Sequence, residues 1–404
     1  MNKPLANVTV IELSTYYAAP TAGLLLADWG ANVIKIETPN GDPERVLAKM
    51  REITMCNDLE NPYFDLVNAN KRFVSVDTRT PEGLAVLKKL IAKADIFLTN
   101  YRNSVLEKLG LTYAELRTGK PELVYGQALG FGDRGPDRDL PGFDYTAGFA
   151  RAGILSNMTP NGSPEPITPY CAYIDSQCGC LLAAGVLAAY TGAKATGLGD
   201  YVTNSLYGTS VFMSRAPLTE ALFGKVFPPK LENCSQPLVN FYKGSDDRWI
   251  TFCISNHNRF FNTFMTVLDR PDLIDHPIYS NIGTCTEQGK IKELIAIIKE
   301  EVAKQDSKTL RDRCLAADLL VELGFSFGEI VADEQARAND YVRTITYSTG
   351  SQIDVFPNPV HFENAGAHEF RTSARIGYHN DEVLAEFGFA AEEISALRER
   401  NAIV

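Results

Sequence analysis

The sequence predicts an α/β fold: a doubly wound parallel sheet in a large domain, joined to a smaller α+β domain. Three observations carry this. Short apolar, β-branched runs alternate with helical patterns through the first part of the chain, the order that builds parallel βαβ units. A Pro-rich hinge then interrupts it at Phe227, Pro228 and Pro229. Beyond the hinge the pattern changes to a hairpin followed by helices.

Taken in order, residues 8–13 (VTVIEL) read as a buried strand. The loop at 14–19 leads into a helix with Pro20 in its first turn and Gly30 at its end. Residues 32–37 (NVIKIE) form the next strand and complete a βαβ unit. Residues 73–77, a helix opening at Thr80, Pro81 and Glu82, and residues 95–100 (DIFLTN) repeat the pattern, and residues 123–127 add one more strand. Ligands of such sheets bind beyond the carboxyl ends of the strands, which singles out the loops at 14–20, 100–103 and 128–136.

Residues 126–141 are glycine-rich, carry Arg134 and Arg138, and read as a surface loop; 144–155 return to helix. Residues 170–190 (YCAYIDSQCGCLLAAGVLAAY) form a helix that is small or apolar on nearly every face, so burial on most sides is expected. Its apolar part, about 13 residues, falls short of the ~20 that span a bilayer. A turn at 196–200, a strand at 201–205 and a helix at 206–223 precede the hinge. After it come a hairpin at 238–255 turning at 244–247, then helices at 258–268, 287–304 and 308–317, the last capped by Ser307. A helix at 334–339, strands at 342–347 and 352–356, and amphipathic helices at 381–388 and 392–401 finish the chain. The expected domains are 1–225, 226–330 and a returning segment, 331–404, whose helices pack on the large domain.

Composition narrows the function. With 404 residues, 45% hydrophobic and 22% charged, the chain is ordinary globular protein. A net charge of −11 excludes nucleic acid as the main partner. No signal peptide or membrane-length apolar run is evident, so a cytoplasmic protein with no membrane partner is expected. Eight cysteines without a CxxC pair read as reduced thiols. Five histidines without HxxxH or HExxH spacing predict no metal site. Glu37 lies about where a ribose-binding acid would sit in a dinucleotide fold. The loop before it, STYYAAP, lacks GxGxxG, which argues against a nicotinamide enzyme.

One ionisable residue stands out in the apolar helix. Asp175 is either its N-cap, accepting the first free backbone N–H groups, or a nucleophilic carboxylate held at the helix entrance.

The segments VTVIELSTYYAAP, LLADWGANVIKIETPNGD, NANKRFVSVDTRTPEG, LTNYRNSVLEKLGL, GFGDRGP and the Asp175 helix together resemble the class III CoA-transferases, nearly end to end. The resemblance implies that Asp175 is the nucleophile and that the fold is an interlocked homodimer of ring-shaped subunits. By matched position it places Tyr17, Ala18, Lys71, Arg72, Asn100, Tyr101, Lys108, Gly130 and Phe131 at the CoA site. Without it, Lys71, Arg72 and Lys108 read as solvated surface. CoA is then a substrate, with no tightly bound cofactor. Two departures matter. Asn233, Cys234, Ser235, Gln236 and Pro237 stand where formyl-CoA transferases carry a glycine lid. Gly142, Phe143 and Asp144 stand where family racemases have Gly-His-Asp, and phenylalanine cannot move a proton.

DLPGFDYTAGFARAGIL, SDDRWITF and DEQARANDY are most similar to the enoyl-CoA:(R)-2-hydroxyacid transferases of amino-acid fermentation, whose product feeds a 2-hydroxyacyl-CoA dehydratase. Other expectations of the same resemblance are a different acid pair (carnitine, formate/oxalate or dicarboxylate), a 2-methylacyl-CoA racemase, or a non-catalytic CoA-binding subunit of a dehydratase. Tyr16, Tyr17, Phe143, Tyr145, Phe149, Tyr170 and Tyr173 are candidates to line an acyl pocket. Oxyanion donors are expected from backbone N–H groups near Ser176 and Gln177 or from the loop at 128–132.

Overall fold

The computed structural model describes residues 3–228, 230–366 and 369–404; of the expected hinge, Pro229 lies outside the described residues. The chain divides into two compact units, the larger built from the stretch up to Met158, Glu165–Gly224 and Glu334–Val404. The smaller takes Thr159–Pro164 and Lys225–Asp333.

The larger unit is organised on a six-stranded sheet of β1 (Thr9–Leu13), β2 (Asn32–Glu37), β3 (Arg72–Ser75), β4 (Ile96–Thr99), β5 (Val124–Leu129) and β6 (Tyr201–Ser205). The order is β3-β2-β1-β4-β5-β6 and every pairing is parallel. Apolar residues alternate between two faces, as the strand period of two requires. Val10, Val33, Ile96 and Val124 face one core; Ile11, Ile34, Phe97 and Tyr125 face the other.

The helices that cover these faces before the hinge are α1 (Ala18–Asp28), α2 (Glu44–Met50), α3 (Pro62–Asn68), α4 (Pro81–Lys93), α5 (Asn103–Leu109), α6 (Tyr113–Gly119), α7 (Ile154–Met158), α8 (Tyr173–Thr196), α9 (Leu206–Met213) and α10 (Arg215–Leu222). The opening of α4 follows its sequence signal, with Thr80 accepting from Gly83 N–H at 3.0 Å. The helix expected over 206–223 is two, broken at Ser214. The helix expected over 144–155 is a π-helical turn, Asp144–Ala150, followed by α7.

Helices α1 and α8 lie against each other over the first core. Gly179 permits it, because a Cβ there would stand 2.5 Å from the Ala18 carbonyl oxygen. The 24-residue α8 is longer than the apolar run suggests and is buried on one side only. Cys178, Leu182, Ala183 and Val186 are buried, whereas Cys180, Ala184 and Ala188 are exposed.

Beneath the first loop lies a cluster of buried charge. Lys35 Nζ meets Glu12 at 3.1 Å, Asp42 at 2.9 Å and the Ser14 carbonyl at 3.0 Å. Lys71 Nζ meets the other Glu12 oxygen at 2.8 Å, the Pro20 carbonyl at 2.9 Å and Asn68 at 3.1 Å. Burial works against the charge on Lys35, but Asp42, Glu12 and Glu37 outweigh it and hold the ammonium above its usual range. For Lys71 burial wins over Glu12 and brings it down to about 8.

In the smaller unit β7 (Val239–Lys243), β8 (Trp249–Cys253) and β9 (Val321–Leu323) form an antiparallel sheet. Packed with it are α11 (His257–Val267), α12 (Ile282–Glu287), α13 (Ile291–Val302) and α14 (Ser307–Ala316), around Phe252, Phe261, Phe264, Ile298 and Leu310; α15 (Phe327–Ala332) follows with no buried residue. The cap of α14 is Asp306, which accepts from Thr309 N–H at 2.9 Å, and not Ser307. Ser307 instead donates its hydroxyl to Asp246 at 2.7 Å.

The returning segment adds α16 (Glu334–Ala338), the hairpin of β10 (Arg343–Thr346) and β11 (Gln352–Val355), α17 (Asn380–Glu386) and α18 (Ala391–Glu399). Val383, Leu384 and Ile394 join the second core of the sheet. The outer edge of β3 is closed by this segment: Phe73 N–H donates to His379 Nδ1 and Ser75 N–H to Asn380 Oδ1, both at 2.9 Å.

Candidate active site

The first loop is fixed from both sides. Asn100, just past β4, accepts from Thr15 N–H at 3.0 Å and donates to the Thr15 carbonyl at 2.6 Å. Asp42 accepts from Tyr16 N–H at 3.2 Å, which ties the loop to the buried lysines. Tyr16 takes a left-handed backbone, φ 61°, as does Ala172, φ 62°, immediately before α8. Strained backbone of this kind persists where surrounding contacts over-determine it, and it concentrates at functional sites. Tyr17 and Ala172 share one small apolar cluster, so the two strained turns meet.

Asp175 is the third residue of α8, and Ala172 occupies the N-cap position. The capping reading of Asp175 is therefore corrected. Asp144 takes that duty from outside the helix: its Oδ1 accepts from Ile174 N–H at 3.0 Å, and the N–H groups of Tyr173, Asp175 and Ala172 also act on it. Asp144 is buried, and burial raises its carboxyl despite these donors. The positive end of α8 is thus already met by a carboxylate. Burial and then the charge of Asp144 push Asp175 up to about 7. Glu44, fully buried in α2, is likewise raised to about 7, by burial, then Asp42, with Asp175 adding to it.

The loop after β5 and the loop before the π-helical turn touch backbone to backbone. A Cβ on Gly130 would stand 2.8 Å from Gly142 Cα, and neither position admits a side chain without displacement. Phe131 packs on the first core and carries Arg151 5.7 Å from its ring centre.

The residues singled out from sequence divide clearly. Tyr17 and Ala18 are buried at the start of α1, beside Ala172 and against α8 respectively. Burial, then Glu44, raises the Tyr17 hydroxyl far above its usual range. Asn100 anchors the first loop, and Tyr101 is half-buried, its carbonyl accepting from Gln127 at 2.8 Å. Lys108 is exposed on α5. Lys71 and Arg72 depart from the reading as solvated surface. Lys71 is buried with its ammonium engaged by Glu12 and the Pro20 carbonyl. Arg72 holds Glu382 at 2.8 Å and Glu386 at 2.7 Å on α17, at the amino end of β3 and away from the loops. The partners of Arg72 and the Glu12 partner of Lys71 lie far off in sequence, which is why side-chain type alone read both as solvated surface. Glu37 is paired with Arg45 at 2.7 Å, so it offers no ribose contact.

Of the aromatic residues, Tyr17 and Phe149 are core. Tyr16, Phe143, Tyr145, Tyr170 and Tyr173 are exposed, with Tyr16 and Phe143 edge to face at 5.7 Å. The N–H of Ser176 is used within α8, bonding the Ala172 carbonyl at 2.9 Å, so it is no oxyanion donor. Sequence reasoning missed Asp144 as a cap, Glu44, and Arg51 at the end of α2. The available signals were the acid after Phe143 and the Pro-Glu start of α2.

The pH behaviour follows from Asp175. If Asp175 is the nucleophile it reacts only when ionised, and kcat/KM is then expected to rise about tenfold per pH unit below about 7 and level above it. Asp144→Asn keeps an accepting oxygen for the cap, removes the charge, and shifts the midpoint downward. Stability runs the other way. A carboxyl raised on folding stabilises fully below its unfolded pKa, and that contribution is lost as pH rises through about 7. Asp175→Asn is therefore expected to be more stable than wild type at pH 8, by on the order of 2–4 kcal/mol. The gap should close near pH 4; urea unfolding across this range checks both signs.

Comparison with known proteins gives the family of the chain. The model of CoA-transferase family III matches residues 5–380. The chain is 36% identical over 399 residues to the (R)-2-hydroxy-4-methylpentanoate CoA-transferase of Clostridioides difficile, covering 99% of each chain. It is 37% identical over 398 residues to the cinnamoyl-CoA:phenyllactate CoA-transferase of Clostridium sporogenes, covering 97% of this chain and 95% of the other. A CAIB/BAIF family protein from Brucella suis shares the fold, with TM-score 0.79 and 24% identity over 96% of this chain and all (100%) of that one.

Proposed function

The chain belongs to CoA-transferase family III, and from that premise we propose that it moves CoA from an apolar enoyl- or 2-hydroxyacyl-CoA to an (R)-2-hydroxy acid, with Asp175 as nucleophile. The observation that carries the reading is a half-buried carboxylate in the first turn of α8 that a second carboxylate, Asp144, relieves of capping.

Asp175 attacks the donor thioester carbonyl, the C–S bond breaks, and CoA leaves as thiolate from a mixed anhydride. The thiolate then attacks the Asp175 carbonyl carbon, releasing the donor acid as carboxylate and leaving an aspartyl-CoA thioester. The acceptor carboxylate attacks that thioester and expels the thiolate. The thiolate attacks the acceptor's carbonyl carbon in the new anhydride, and Asp175 is free again. Protons balance at every step. Backbone N–H groups at 130–132 remain as oxyanion donors, since those of the helix entrance are taken. Tyr17, Ala18, Asn100, Tyr101, Lys108, Gly130 and Phe131 frame the CoA site in this reading, and Lys71 and Arg72 act on the fold. A second copy of the chain, interlocked with the first, is supported by exposed Leu222, Phe223 and the open side of α8. The product suits a dehydratase acting on 2-hydroxyacyl-CoA.

Exposed Phe143 and Tyr145 near Asp144 favour a branched or aromatic acyl chain over a small hydrated one. Transfer to the matching (R)-2-hydroxy acid is expected to exceed transfer to oxalate by about tenfold or more in kcat/KM. The same assay in heavy water is expected to leave C2 unlabelled, since Phe143 carries no proton. Efficient formyl-CoA:oxalate exchange without turnover of 2-hydroxy acids would overturn the substrate assignment.

A further inference from the structure

The acids consumed and released in this reaction are anions, and the place they must enter is itself acidic. Asp144, Asp175 and Glu44 act on one another there. A carboxylate brought among them requires a cation of its own. Lys35 and Lys71 cannot supply it, being buried in ion pairs with Glu12 and Asp42. Arg45 is held by Glu37.

Arg51 differs from all three. It follows the last turn of α2, is exposed, and has no carboxylate in ion-pair contact among the described residues. Its guanidinium lies 5.7 Å from the centre of the Tyr63 ring. Tyr63 meets Tyr17 edge-on at 6.2 Å, and Tyr17 packs with Ala172 at the entrance of α8. Tyr63, Cys171, Tyr145 and Tyr17 are its electrostatic neighbours, and Glu44 feels its charge. Tyr63, Tyr17 and Ala172 thus link Arg51 to the entrance of α8, whose first turn carries Asp175.

We infer that Arg51 receives the carboxylate of the acid substrate, the acceptor as it arrives and the donor acid as it leaves. The inference rests on the transfer reading of Asp175 and adds the residue that binds the acid. A guanidinium presents a planar fork that matches a carboxylate, and stacking on an aromatic ring holds it ready. The alternative anion, a phosphate of CoA, would draw on the same charge, and the test separates the two.

The test uses the full chain and its variants Arg51→Met and Arg51→Lys, with KM measured separately for the acid and for the acyl-CoA. Arg51→Met is expected to raise the acid's KM by about ten- to a hundredfold, the usual worth of a charged hydrogen bond, with the KM for acyl-CoA changed less than about threefold. Arg51→Lys should recover part of the loss, charge without the fork. Added salt should weaken acid binding in wild type and much less in Arg51→Met. A rise confined to the acyl-CoA KM would assign Arg51 to a CoA phosphate and overturn the inference. So would unchanged constants, or equal losses together with a lower thermal midpoint, which would mean that Arg51 only ends α2. If wild type accepts some other carboxylic acid in place of a 2-hydroxy acid, the substrate assignment fails while Arg51 is still read on that acid. If wild type transfers CoA to no carboxylic acid, both the transfer reading and this inference fall.

Discussion

Asp175→Asn is expected to lower CoA transfer by a factor on the order of 10⁴ or more, with the chain still folded. An amide has the shape of the carboxylate but forms neither the anhydride nor the aspartyl thioester. Folding does not depend on the lost charge, because Asp144 caps α8 and Asp175 does not. Two measurements separate chemistry from structure. Single-turnover transfer reports the loss, and intact-mass analysis after incubation with acyl-CoA should show a CoA adduct on wild type alone. Near-normal turnover of Asp175→Asn would remove the nucleophile assignment altogether.

Lys35→Met is expected to destabilise the larger unit by roughly 3–5 kcal/mol, the cost of leaving a buried ion-pair network without one partner. Methionine approximates the length of the lysine stem, so the loss is mainly of charge. Asp42 would lose its 2.9 Å partner in a site closed to water, and Glu12 would keep Lys71 as its one cation, with the Ser14 hydroxyl. Lys71→Met should cost less, because Glu12 retains Lys35 and burial already brings Lys71 down to about 8. Urea unfolding at neutral pH orders the two variants. Transfer should fall with Lys35→Met beyond what stability explains, since Asp42 also holds the Tyr16 turn. A change under about 1 kcal/mol would show that the cluster does not support the loop.

Much of the fold was legible locally. β1, β2 and β6 are unbroken strand patterns, Thr80-Pro81 announces α4, and the turn at 244–247 announces the β7–β8 hairpin. Short helices such as α2, α3 and α5 were not. Each is seven residues long and held by tertiary contacts more than by a marked apolar face. In the site, Asp175 was legible as an isolated charge in an apolar run, but its environment was not. Asp144 reaches it across about thirty residues of chain, and Glu12 on β1 joins Lys35 on β2 and Lys71 just before β3. Pairings of that kind depend on sheet order, which single-residue character does not encode.

Around Asp144 the chain alternates in a way that bears on how such a protein diversifies. Asp144 is buried at 5%, while Phe143 and Tyr145 on either side are 56% and 48% exposed. In the proposed reading, the residue that caps the helix of Asp175 and the residues open to an acyl chain are therefore interleaved in sequence yet mechanically separate. On that reading, drift at 143 and 145 would retune which acids are accepted while leaving the cap at 144 in place. A lineage carrying this segment can explore new metabolites through single codon changes, keeping its reaction while its diet of substrates turns over.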